Sequence, residues 1–259
     1  MTLEYEVSEG IATVTLNRPR RRNAFTLDML DAWADALAEA AADDAVRIVI
    51  IVGAGDHFCA GVDLDELAAV EPTPIARRRL LTDHVHRVVR GLVGLDKPVI
   101  AALRGHAVGA GLDLALMCDM RFAGTSARLA EGYIKIGLVP GAGGCYLLPR
   151  LVGVAKALEL LLGGDAVDAA EALRIGLVNR VYDDDLLIEE TYDFAARVAA
   201  APPVATQLIK RATYQSARSD LATSLDLVSS HMAVVLSMED TATALAAFRN
   251  GGQAEYHGR

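Results

Sequence analysis

Lysine is scarce in this chain of 259 residues. Only Lys97, Lys135, Lys156 and Lys210 appear among its 25 basic residues, the rest being arginine, a bias read first as coding composition. Acidic residues outnumber basic ones. The formal net charge of −9 works against an electrostatic grip on nucleic acid or anionic lipid, although a local basic patch can still hold a phosphorylated small molecule. Cysteine is sparse too: Cys59, Cys118 and Cys145 are odd in number, widely spaced and without a CxxC pair. Neither a disulfide framework nor a zinc site is expected from them, and a reducing, cytoplasmic setting fits best. No apolar run approaches the roughly 18–20 uncharged residues that span a bilayer. The opening MTLEYEVSEG lacks the basic and apolar stretches of a signal peptide. GxSxG, GxxxxGK[ST], HExxH and EF-hand patterns are absent. His84 and His86, two apart, fall on different sides of a helix, and the histidines form no ligand cluster. His57 and His106 stand out only because each lies in a glycine-rich loop after a buried strand.

Apolar residues make up 53% of the chain, enough for a substantial core. Alternating apolar positions predict strands over 3–7 and 11–16, joined by a turn at Ser8-Glu9-Gly10. Thr26 suits the N-cap of a helix over 27–42. The unbroken runs at 46–52 and 97–103 predict strands buried on both faces. A short helix near 64–70 and a long arginine-rich helix from 74 to about 95 lie between them, with Arg77-Arg78-Arg79 read as a solvated face. Further strands are expected at 119–123 and 177–181, with a helix over 112–117. Beyond Asp185 the pattern is helical, restarting at Pro202-Pro203. Strand, crossover helix and strand again indicate a largely parallel sheet, hence an α/β fold with a helical C-terminal segment.

Two loops carry the chemistry. GAGDHFCAGVDL (53–64) and RGHAVGAGLDL (104–114) each leave the C-terminal end of a predicted parallel strand and enter a helix, where ligands sit in open α/β sheets. Free N–H groups at those helix starts would point into one crevice, the usual way to hold a developing oxyanion. Glycines that merely make tight turns would give the same pattern, so spacing alone leaves both readings open.

Six ordered motifs then resemble one family from about residue 3 to residue 250. They are NRPxxxNAF near 17–25, HFCAGVDL, KPVIAALRGHAVGAG, CDMRFA, GLVPGAGG with LPRLVG, and AxxxGLVNRV. The chain resembles the enoyl-CoA hydratase/isomerase, or crotonase-fold, superfamily. The resemblance implies a ββα-repeat spiral core (1–185) with a helical C-terminal trimerisation segment (186–259), assembled as a homotrimer or dimer of trimers. It also implies an acyl-CoA substrate, with coenzyme A as part of that substrate rather than a cofactor, and no metal. By position, the N–H groups of Val62 and Ala110 would form the oxyanion hole, with alanine keeping the N–H of a usual glycine. Arg22, Cys59, Ala60, Gly61, Gly109, Gly111, Pro140, Gly141 and Phe248 would contact the substrate, its adenine lying near the Cys59–Ala60 backbone.

Three positions depart from the family pattern. The first of two family glutamates falls at Asp113, one methylene shorter, and the second falls at Tyr133. A phenol of ordinary pKa near ~10 is a poor base but a fair hydrogen-bond donor. Glu131, two residues earlier, would share Tyr133's face in an extended segment and supply the second carboxylate. After Phe248 the usual lysine position is glycine, leaving Arg249, Arg22 or Arg21 for CoA phosphates. The expected activity is hydratase/isomerase-type chemistry through an enolate, with Asp113 as acid/base and Tyr133 and Glu131 orienting water or substrate. Other readings stay open: C–C bond hydrolysis or decarboxylation on the same scaffold, with His57, His106 or Tyr133 active, and a CoA-binding member without catalysis.

Overall fold

Glu9 (φ 50°) and Gly10 (φ 79°) are both left-handed, the twist-matching geometry of a two-residue hairpin turn. They join β1 (Leu3–Ser8) to β2 (Ile11–Leu16) in antiparallel register, Leu3 facing Leu16. The structure, a computed structural model, describes residues 1–252 and 254–259. Thr26 caps α1 (Leu27–Ala42) by accepting from the Met29 N–H, and that helix returns the chain to β3 (Ile48–Gly53), parallel to β2. After α2 (Leu64–Ala69) and α3 (Pro74–Arg79), a π-helical segment over Leu80–Val85 leads into α4 (His86–Gly94) and β4 (Val99–Leu103). The long helix expected from 74 to 95 is therefore interrupted by a π turn, which periodicity alone does not reveal. Arg77, Arg78 and Arg79 are exposed, as read.

Next come β5 (His106–Val108), α5 (Ala110–Leu116), β6 (Met120–Gly124), β7 (Arg128–Ala130), α6 (Gly144–Val152) and α7 (Val154–Gly163). They lead to β8 (Val167–Asp168), α8 (Ala169–Arg174), β9 (Arg180–Tyr182), α9 (Leu187–Ala199), α10 (Pro203–Ser216), α11 (Leu221–Leu236) and α12 (Glu239–Asn250). Six strands form one sheet in the order β1-β2-β3-β4-β6-β9, parallel except for the first pair, and β5-β7-β8 form a second, three-stranded sheet. The expected strand at 177–181 begins three residues later, at Arg180. The span expected as loop from Gly105 to Gly111 contains β5, too short for alternation to register.

The large sheet is buried on both faces. Val49, Ile51, Val99 and Ala101 face α1, α4 and the second sheet, whereas Ile48, Ile50, Ile100 and Ala102 face Leu187 and Ala195 of α9. The expected boundary at residue 185 therefore falls too early, because α9 closes one face of the core sheet. Lys97, 6% exposed, donates to the carbonyls of Ala40 and Asp43 at 2.7 and 2.6 Å, satisfying the C-terminal end of α1. The parallel strands end toward the loops 53–63 and 104–111, and the site lies there.

Candidate active site

The first loop is organised by Asn23, fully buried in a left-handed conformation (φ 55°). Its side chain accepts from the Arg18 N–H at 2.9 Å and donates to the carbonyls of Ala54 and His57 at 3.0 and 2.7 Å. Arg18 in turn pairs with Asp63 at 2.9 Å. Burial works against the Asp63 carboxylate, but Arg18 and the Asp65 N–H hold it below its ordinary range. Sequence reading missed Asn23 and Arg18, although both lie in the NRPxxxNAF motif.

Cys59 zips this loop to β5. Its N–H donates to His106 O and its carbonyl accepts from the Val108 N–H, both at 3.0 Å. Gly61 (φ 90°) lies where the loops touch, and a methyl built on it would sit 2.9 Å from Val108 O and 3.3 Å from Ala110 N. A side chain there would force the loops apart. Val62 and Ala110 follow the two glycine turns, and among the described residues neither N–H donates to a protein acceptor. Ala110 has no left-handed φ, so alanine replaces glycine without strain. Both residues line one cavity of about 480 Å³ with Ala60, Gly109, Val108 and Tyr133.

Behind the cavity wall lies a buried acid cluster. The Tyr133 hydroxyl donates to Asp113 Oδ2 at 2.6 Å, and the Ala142 N–H donates to the same oxygen at 3.0 Å. Asp113 and Glu131 are 0% and 1% exposed. A methyl built on Gly144 would lie 2.2 Å from Asp113 Oδ1 and 3.0 and 3.1 Å from the Glu131 carboxyl oxygens, so both carboxyls converge over the start of α6. Asp113 Oδ1 and both Glu131 oxygens lack a donor from any other group. A proton shared between the two carboxyls would partner Asp113 Oδ1 with one Glu131 oxygen and leave the other Glu131 oxygen without a donor; paired buried carboxylates do not both ionise. Burial, then the charge of Asp113, push Glu131 up to about 9. Burial also raises Asp113, against the opposing pull of the Tyr133 and Ala142 donors. Tyr133 is raised by burial and by the Asp113 charge, so it keeps its proton.

Of the expected contact residues, Ala60, Gly61, Val62, Gly109, Ala110 and Tyr133 line the cavity; Asp113, Glu131, Arg22, Cys59, Gly111, Pro140, Gly141 and Phe248 do not. Glu131 does not share a strand face with Tyr133, because a 3-10 turn starts at Gly132. Its side chain meets Asp113 from the residue before that turn. Cys59 is a packed thiol pushed up to about 12 by burial, and Gly111 lies against its carbonyl. Arg22 turns outward and Arg21 takes the cavity edge. Phe248 is 87% exposed on a separate concavity between α9, α10 and α12. His57 and His106 pack against each other, Nδ1 to Nδ1 3.2 Å, away from the cavity. Among the described residues, no group of three His, Cys, Asp or Glu is placed to hold a metal ion.

Fold and cavity together define an α/β enzyme of the crotonase-fold class. The enoyl-CoA hydratase/isomerase family model matches residues 6–259. Among characterised proteins, the chain is 35% identical to 1,2-epoxyphenylacetyl-CoA isomerase of Escherichia coli K12, over 98% of this chain and 97% of that one. It is 36% identical to short-chain-enoyl-CoA hydratase of Clostridium acetobutylicum, over 92% and 90%. A solved enoyl-CoA hydratase from Bacillus anthracis superposes with a TM-score of 0.94 at 32% identity, covering 100% of both chains. The chain belongs to the enoyl-CoA hydratase/isomerase family.

Proposed function

We propose that this enzyme acts on an acyl-CoA thioester through an enolate, and that its reaction is isomerisation. The observation that carries the reading is Tyr133, which lines the cavity and whose hydroxyl donates to Asp113 Oδ2 at 2.6 Å, with two free amides on the same cavity. The thioester oxygen would lie between the N–H groups of Val62 and Ala110, whose fixed dipoles favour negative charge there. A proton leaving the activated carbon passes to the Tyr133 oxygen as Tyr133's own proton passes to Asp113. The C–H electron pair enters the enolate, and no tyrosinate forms. Return of the proton at a different carbon completes a double-bond shift.

Hydration needs a second group to hold and deprotonate water. Glu131 is the only other carboxyl in the cluster; it holds its proton and faces Asp113 rather than the cavity. That favours isomerisation. The test is mass spectrometry of an acyl-CoA panel incubated with the enzyme in deuterated water. Deuterium uptake with double-bond migration and no mass gain of water is expected; a water adduct would make the enzyme a hydratase. No exchange in any thioester would overturn the enolate reading.

A homotrimer, or a dimer of trimers, is proposed as the working assembly. The apolar stripe of α11 is exposed among the described residues, and Phe248 lies on a concavity apart from the candidate cavity, where it could serve a neighbouring chain. A cytoplasmic setting is supported by three unpaired thiols, two of them buried.

A further inference from the structure

The π turn before α4 does something specific. In a regular α-helix, residues five apart point about 140° away from each other. Here the His86 N–H bonds back to Leu81 O, a ring one residue wider that brings positions 81 and 86 to the same side. Both meet one residue on the loop opposite. The His86 Nε2–H donates to Gly141 O at 2.9 Å, and a methyl built on Gly141 would come within 3.1 Å of Leu81 Cδ2. The Gly141 carbonyl and the Ala142 N–H belong to one rigid peptide plane. The other end of that plane donates to Asp113 Oδ2 at 3.0 Å.

We propose that His86 is a positioning residue for the acid cluster, holding the Gly141–Ala142 peptide so that its N–H points at Asp113. His86 does not line the cavity and acts only through that peptide. A hydrogen bond accepted at the carbonyl polarises the N–H at the opposite end of the same amide, so the imidazole both aims and strengthens the donor. His84, on the other side of the segment, faces Asp31 at 3.1 Å and takes no part. The groups that titrate around Asp113 are Glu131, Tyr133 and Cys145, and none of them replaces the Ala142 donor.

The inference rests on the proposed relay, in which Asp113 accepts the Tyr133 proton as Tyr133 takes the substrate's, so its test has one arm with substrate and one without. In the first, His86→Leu lowers kcat for deuterium exchange roughly tenfold, the loss expected for one misaligned bond to a charged acceptor. KM stays within about twofold and the acid limb of the pH profile moves to higher pH, because ionised Asp113 has lost a donor. His86→Gln, which keeps an N–H at similar reach, restores most of the rate. In the second arm, carboxyl carbon NMR of aspartate-labelled protein, with D113N as the assignment control, shows the Asp113 titration moved upward in His86→Leu and not in His86→Gln. Should His86→Leu fail to fold, His86→Phe takes its place in both arms.

An unchanged Asp113 titration in the donor-free variant overturns the proposal. So does equal damage from the leucine and glutamine variants, which would make His86 a packing residue. If wild-type enzyme exchanges no thioester proton, the enolate reading fails, while the NMR arm still decides for or against His86.

Discussion

Asp113 can serve as a base only through a neighbour, because its carboxylate is fully buried and Tyr133 stands between it and the cavity. That predicts a particular pair of results. D113N should cut turnover about 10²–10⁴-fold, the usual worth of a positioned acid or base, with binding retained in calorimetry. Y133F should cost a comparable factor, because it would break the proposed relay at its middle; a Tyr133→Phe enzyme with near-normal kcat would show that Asp113 reaches substrate directly. Glu131 belongs to the same cluster but predicts a stability effect. Its folded pKa is pushed up to about 9, above its unfolded value. Between those two pKa values the folded chain binds a proton that the unfolded chain has released, so stability falls as pH rises through that window. E131Q imitates the protonated acid and lacks this term. Urea melts should show its advantage over wild type growing from pH 5 to pH 8, on the order of 1 kcal/mol per unit at most. A gap independent of pH would mean that Glu131 is ionised in the fold. Gly144→Ala tests the convergence itself, since its methyl would lie 2.2 Å from Asp113 Oδ1; loss of activity and about 1–3 kcal/mol of stability are expected.

At the scale of elements, what could be read in the sequence divides by length and by the range of the forces involved. The run at 46–52 was legible because apolar residues on both faces of a parallel strand leave few alternatives, and Ile50 and Ile51 do enter opposite cores. The Thr26 cap was legible because its hydrogen bond is local; Thr26→Ala should cost about 1 kcal/mol in thermal or urea melts. β5 is three residues long and exists by pairing with β7, 22 positions on, and by the bridge from Cys59, 47 positions back, contacts that no local pattern carries. The π turn was invisible for a similar reason: its sequence is an acceptable α-helix, and the wider ring is held by what Leu81 and His86 meet at Gly141. At the site, glycine loops and motif order pointed to Val62, Ala110, Asp113 and Tyr133; three of them line the cavity and Asp113 lies behind it. The direction in which each side chain points was not legible. Glu131 turned inward to Asp113, and Phe248 turned away from its own cavity, because both depend on packing between segments distant in sequence.

At the scale of the whole molecule, the last three helices are unlike the rest. Leu221, Leu225, Val228 and Met232 recur at i, i+4, i+7 and i+11 along α11, the spacing of a single apolar stripe. They are 74, 58, 38 and 52% exposed, while the opposite face of α11, at Ser224, Leu227, His231 and Val235, is half-buried, with Ser224 bonded to Ser216 of α10. Among the described residues, no single helix is long and apolar enough to cross a membrane, and α11 and α12 reach that length and composition only as a pair bent by 78°. Exposing such a row to water forgoes about 1.5–3 kcal/mol for each large side chain that a partner would cover. A second copy of the chain is the partner proposed. Leu225→Glu combined with Met232→Glu places two charges one heptad apart on that stripe and should shift the mass in light scattering from trimer to single chain. The cavity residues of each chain are untouched by this change, so the intrinsic proton-exchange step should survive at saturating substrate. KM for the CoA ester should rise if Phe248 of a neighbouring chain completes the adenine site. A wild-type protein that scatters as a single chain at micromolar concentration would remove both the assembly and the shared adenine site, leaving the relay through Tyr133 to stand alone.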